Sequence, residues 1–222
     1  MEIFFLKSVD STHRYLKDHI KKNGYTHSIA VVTNHQTNGI GSRDNKWEGK
    51  DGNLFFSFVV RQSELPSDLP IQSASIYFSF ILKEILSNQG SNIWVKWPND
   101  FYIEHKKIGG TITNLAADLL YCGIGINLRK VSEQFGYLDI EIETDKLLKE
   151  YFANIEEKTT WKDIFSKYSI EFKKSKELKT TINNHTGITT NESSLEKISL
   201  KNAVLNSDGS IYINDKKVFS LR

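Results

Sequence analysis

Between residues 92 and 128 the chain passes through short apolar segments parted by turn signals. Asn92 to Trp97, Phe101 to Glu104, Lys107 to Ala116 and Leu119 to Leu128 are separated by Pro98-Asn99-Asp100, His105-Lys106 and Ala117-Asp118. Runs this short, rich in β-branched and aromatic residues and closed by such turns, predict an antiparallel meander rather than helices. The meander fixes where two polar groups stand. Val95-Lys96-Trp97-Pro98-Asn99-Asp100 ends in a turn that proline stiffens into an extended form, because its ring fixes its own φ and restricts the residue before it. Lys107 opens a segment that pairs back as a hairpin. A rigid polar turn and a single lysine therefore face each other, placed to reach a buried anion.

The flanking sequence builds a mixed α+β unit around this run. Ile3 to Leu6 predicts a strand, and Asp10-Ser11-Thr12 offers side-chain oxygens to cap a helix that starts near His13 and stops at Asn23-Gly24. Ser28 to Thr33 and Asn53 to Val60 read as strands, joined by a glycine-bearing loop from Gln36 to Gly52 whose length points to function. Apolar residues at helical spacing predict a helix over Ile71 to Leu86, and others follow at Asp145 to Ile155 and Trp161 to Lys174. Beyond Lys174 the composition turns polar. We expect one unit over 1–175 and a small C-terminal β-barrel over 176–222, with hairpin turns at Asn206 to Gly209 and Asn214-Asp215, the segment from Lys217 to Arg222 pairing with Ser210 to Ile213.

Composition narrows the partners. A net charge of +2 over 222 residues excludes a strong basic field, so nucleic acid or membrane would have to meet a local patch. Lys173, Lys174, Lys176 and Lys179 read as a solvated linker instead. The lone cysteine, Cys122, cannot form an internal disulfide and reads as a buried inert thiol. With no signal peptide at the N-terminus, a cytoplasmic setting is expected. No segment approaches the ~20 apolar residues of a membrane helix. The six histidines lack ligand spacing, so no structural metal is expected.

The loop Gly39-Ile40-Gly41-Ser42-Arg43-Asp44-Asn45-Lys46-Trp47 can bring backbone amides close to a ligand, with Arg43 and Lys46 adding cations. That suits an anion. The loop resembles the adenylate-binding loop of biotin protein ligases, usually written G-R-G-R-x-G-R-x-W. Asp10-Ser11-Thr12 resembles that family's biotin-contacting turn, Gly123-Ile124-Gly125-Ile126-Asn127 its G-x-G-x-N strand end, and the K-W-P-N-D block with Lys107 its core motif. These blocks span residues 10 to 127 in the family's order.

The resemblance implies a class II aminoacyl-tRNA synthetase-like fold and a two-step reaction. The biotin carboxylate attacks the α-phosphorus of ATP, with Mg2+, and a lysine of the biotin carboxyl carrier protein domain of a carboxylase then attacks the adenylate. It places Lys107, Arg43 and Asp100 in the catalytic role, Asp100 either helping to hold magnesium or steadying the positive cluster. Biotin falls to Ser11, Thr12, His13 and Gln36, to Gly39, Ile40, Gly41 and Ser42 of the loop, and to Lys107, Gly110, Gly123 and Gly125. ATP falls to Arg43, Lys46, Trp47, Asn99 and Asn127. The chain departs from the family at Ile40 and Ser42, which replace two arginines, at Asp44 for glycine, at Asn45 where arginine is common, and at His13 for asparagine. Either Arg43 takes over the missing charge or the adenylate is held less well. With residue 3 already in what resembles the catalytic domain, the implied form is monofunctional, without DNA binding, and either a monomer or a homodimer. A lipoate or octanoate transferase and a non-catalytic biotin-binding protein are the alternatives.

Overall fold

The computed structural model describes residues 1–41, 46–47, 51–183 and 195–219. Its centre is a seven-stranded sheet in the order β1-β2-β5-β9-β8-β7-β6. These strands are β1 (Glu2–Leu6), β2 (Ile29–Thr33), β5 (Leu54–Arg61), β6 (Trp94–Lys96), β7 (Asp100–Ile103), β8 (Lys106–Ala116) and β9 (Leu119–Ile126). Only β1 and β2 run parallel; the expected meander from β6 to β9 is antiparallel throughout. The chain-reversing turn after β6 is tighter than the extended one expected, because the pairing of Lys96 with Asp100 leaves three residues to turn in. Its Trp97–Pro98 peptide bond is cis.

Alternation along the strands gives the sheet two unlike faces. The back face presents Phe56, Phe58, Cys122 and Ile124 to the helices α2 (Ala74–Asn88), α3 (Thr144–Glu156) and α4 (Trp161–Ser175). In α2 every residue from Ala74 to Leu82 is buried, as expected of a helix apolar on all sides. A short 3-10 turn, Ile71–Ser73, precedes it where the sequence predicts helix. Phe58 anchors this layer, with its ring 4.9 Å from Phe78 and further edge contacts to Tyr151 and Phe152.

The front face is covered only in part. Helix α1 (Thr12–Asn23) carries His13, Leu16 and Ile20 at helical spacing, and its apolar stripe packs on Ile29, Val31, Val59 and Tyr121. Ser11 caps it and Gly24, at φ 78°, ends it. Beyond α1, on the same face, lie Gly110, Gly123 and Gly125. There the sheet has no side chains to fill the space.

Within the long loop the described residues form two short paired strands, β3 (Gly39–Ile40) and β4 (Lys46–Trp47). The expected C-terminal barrel takes the form, among the described residues, of two small antiparallel sheets: β10 (Lys179–Asn183) with β11 (Leu195–Ser199), and β12 (Val204–Leu205), β13 (Ile211–Ile213) and β14 (Lys216–Val218) in order. Ile198, Leu200, Ala203, Ile211 and Ile213 join the main apolar core. The edge at β6 is closed by side chains, since Val95 N donates to Glu171 at 2.7 Å and Trp97 N to Ser175 at 3.0 Å. No helix among the described residues is long and apolar enough to cross a membrane.

Because Phe58 lies behind the sheet, Phe58→Ala is expected to cost about 3–5 kcal/mol in a denaturant titration while leaving front-face ligand affinity of the folded protein unchanged. A loss under 1 kcal/mol would contradict this layer assignment.

Candidate active site

The glycine-floored gap is a pocket lined by residues of α1, β5, β8, β9 and the long loop. Its floor is set by register. Gly125 pairs with Gly110 on one side and Phe55 on the other, and Gly123 with Ile112 and Ser57. A methyl group on Gly125 would come within 3.1 Å of the Trp47 ring; one on Gly123 would meet Ile112 at 3.1 Å, Ser57 Oγ at 3.2 Å and His13 Nδ1 at 3.4 Å. Any side chain there would fill the pocket.

The Gly123 end is polar but neutral. Thr12 donates from N and Oγ1 to Gln36 Oε1 at 2.8 and 3.1 Å, and its hydroxyl shares a 2.8 Å hydrogen bond with Ser57 Oγ. Ser11 both caps α1 and lines the pocket. His13 is 8% exposed, with its Nδ1 buried and lacking a hydrogen-bond partner in the protein. Burial, reinforced by Lys17 one turn along α1, lowers its pKa from 6.5 to about 4. Near neutral pH it is an uncharged imidazole with an unused polar atom lining the pocket.

The Gly110 end is charged. Lys107 Nζ lies 2.5 Å from Asp100 Oδ1, and Lys96 Nζ 3.4 Å from Asp100 Oδ2. Burial alone would raise the Asp100 carboxyl, but the two ammonium groups outweigh it and hold it below the usual range. Both carboxylate oxygens of Asp100 thus face lysines. Asn99 staples the turn to β8: its side-chain amide donates to the Thr111 carbonyl, and its own carbonyl accepts from Thr111 N at 2.9 Å. The turn is also held from behind, where the buried Trp97 donates from Nε1 to the Gly209 carbonyl at 2.9 Å.

Trp47 walls the pocket between the two ends, with Lys107 Nζ 5.9 Å from its ring centre. Ile40 and Gly41 also line it. Gly39 lies behind, against Gln36 and Trp47. Ser42 and Arg43, with Asp44 and Asn45, lie outside the described residues, as does the side chain of Lys46. Asn127 does not line the pocket; its amide donates to the Gly136 carbonyl at 3.1 Å, closing the end of β9. Sequence reasoning missed Phe55, Ser57, Thr111, Ile112 and Ile124, which also line the pocket. For Ser57 a signal was present, a hydroxyl inside the otherwise apolar run Leu54 to Val60.

Comparison with known proteins fits this geometry. Residues 5–127 match the model of the biotin/lipoate A/B protein ligase family. The chain is 32% identical over 139 residues to the bifunctional ligase/repressor BirA of Escherichia coli (strain K12), covering 58% of this chain and 41% of that protein. It spans about two fifths of the length of the bifunctional ligase/repressor relatives it matches. The structure is similar to that of Helicobacter pylori biotin acetyl coenzyme A carboxylase synthetase with bound biotinylated ATP: TM-score 0.87, 38% identity, covering 98% of this chain and 99% of that one. The Aquifex aeolicus biotin protein ligase in complex with biotin and ATP shares the fold at TM-score 0.70 and 22% identity, covering 100% of this chain and 96% of that one.

The buried imidazole makes stability depend on pH. A base whose pKa is lower folded than unfolded costs stability as it is protonated, so stability is lost as pH falls from about 6.5 and the loss is complete below about 4. Thermal melts across that window should show up to about 3 kcal/mol of loss from this group, and His13→Asn should flatten that part of the profile. An unchanged slope in the variant would contradict a buried neutral His13.

Proposed function

Since the chain belongs to the biotin/lipoate A/B protein ligase family, we propose that it joins biotin to ATP as biotinyl-5′-adenylate and passes the biotinyl group to a lysine of a carboxylase's biotin carboxyl carrier domain. The observation that carries this reading is the difference between the two ends of the pocket. A neutral hydrogen-bonding cluster at Gly123 suits the ureido ring of biotin, and the lysine end suits its carboxylate. The two ends lie two residues apart along β8 and β9, roughly 7 Å, a distance the valeryl chain of biotin spans.

Each residue then has a task. Thr12, Gln36, Ser57 and His13 satisfy the ureido group where water is excluded. Lys107 stands between the biotin carboxylate and the α-phosphate of magnesium-bound ATP, offsetting the repulsion between two anions. Asp100 aims Lys107, while Trp47 and the glycine loop cover the nucleotide. A carboxylate oxygen bonds to the α-phosphorus as the bond to the β-phosphate oxygen breaks, releasing pyrophosphate. The neutral amine of the acceptor lysine then bonds to the acyl carbon, its proton is lost to solvent, and AMP leaves.

Lipoate fits the charged end but not the neutral one. Its dithiolane would leave the buried His13 Nδ1 unpaired, and sites built for hydrogen bonding reject analogues lacking it by on the order of 10⁴- to 10⁵-fold. Mass spectrometry after mixing the protein with magnesium-ATP and biotin, lipoate or octanoate separately should find biotinyl-adenylate alone, reduced about 10²- to 10³-fold in Lys107→Ala. Lipoyl- or octanoyl-adenylate alone would assign the chain to the sister enzymes. No adenylate with any acid would favour a non-catalytic binder.

A further inference from the structure

Lys96 is given no task by that reaction. It ends β6, is 5% exposed, and is absent from the pocket wall, so a ligand in the pocket does not meet it. Its Nζ lies 3.4 Å from Asp100 Oδ2 and 5.7 Å from the centre of the Tyr102 ring. Lys107 takes the other carboxylate oxygen and does line the pocket. Among the described residues, one carboxylate stands between two ammonium groups. Without Lys96, Asp100 and Lys107 would cancel where a carboxylate and a phosphate must be brought together.

We infer that Lys96 is a positioning residue that acts through Asp100: by occupying one carboxylate oxygen it seats Asp100 and leaves the charge of Lys107 free for incoming anions. The inference rests on reading the pocket as an adenylate-forming site. It assigns the three charges different duties. Lys107 meets the ligand, Asp100 aims Lys107, and Lys96 balances Asp100 from behind the pocket wall. When anions enter and draw Lys107 toward them, Lys96 remains as the counter-ion that keeps Asp100 from following or competing.

The test is the rate of biotinyl-adenylate formation from biotin and magnesium-ATP in the full chain carrying Lys96→Met, Lys96→Arg, Asp100→Asn, Asp100→Asn with Lys96→Met, or Lys107→Ala. Lys96→Met keeps the length of the side chain but not its charge, and should slow the reaction on the order of 10- to 100-fold, as misplaced catalytic groups do. Lys96→Arg, which keeps the charge, should recover most of that loss. In the Asp100→Asn background, adding Lys96→Met should change the rate by less than about twofold, because the residue it serves is already neutral. Should Lys96→Met alone fail to fold, the two Asp100→Asn proteins carry the comparison, since they lack the uncompensated carboxylate. A wild-type rate in Lys96→Met, or the same loss with and without the Asp100 charge, would overturn the inference. A wild-type rate in Lys107→Ala would instead overturn the reading beneath it.

Discussion

Gly110, Gly123 and Gly125 stand on one face of neighbouring strands, and the antiparallel register of β8 with β9 brings them together. Helix α1 covers the rest of that face with Leu16 and Ile20. The pocket is therefore a gap in side-chain cover, floored by a sheet that is rigid because its other face is filled by α2, α3 and α4. A floor built this way does not adjust. The groups around it come from α1, β5, β7 and β8, spaced as those elements are, and from the loop that carries Gln36 and Trp47.

Polarity is divided along that floor. At Gly123 the sheet meets the first turn of α1, which contributes neutral groups and the buried imidazole of His13. At Gly110 it meets the turn between β6 and β7, which contributes Asp100 with its two lysines. That turn is braced on several sides, by Asn99 against Thr111, by Trp97 against Gly209 and by Ser175 at the end of α4. The C-terminal segment thus supports the charged end from behind, and the same contact ties it to the main core.

Much of this was legible in the sequence for physical reasons. Strands separated by turn signals set the meander, so the approach of Lys107 to Asp100 followed from spacing. The capping signal at Asp10-Ser11-Thr12 likewise set the start of α1 beside His13. What was not legible depended on packing between distant elements. Ser57 reaches Thr12 only because α1 packs across β5, and nothing local to Leu54–Val60 fixes that neighbour. Lys96 was visible in its motif, yet its duty depends on which face of β6 it leaves. Asn127 stands apart from the pocket, its amide serving the Gly136 carbonyl.

The most direct test of the two-ended pocket is a crystal structure of the protein with biotin and a non-hydrolysable ATP analogue. The account predicts the ureido group within hydrogen-bond reach of Ser57, Thr12 and His13 Nδ1, and the carboxylate beside Lys107 Nζ. Biotin bound in the opposite direction, or bound away from the glycine floor, would contradict it.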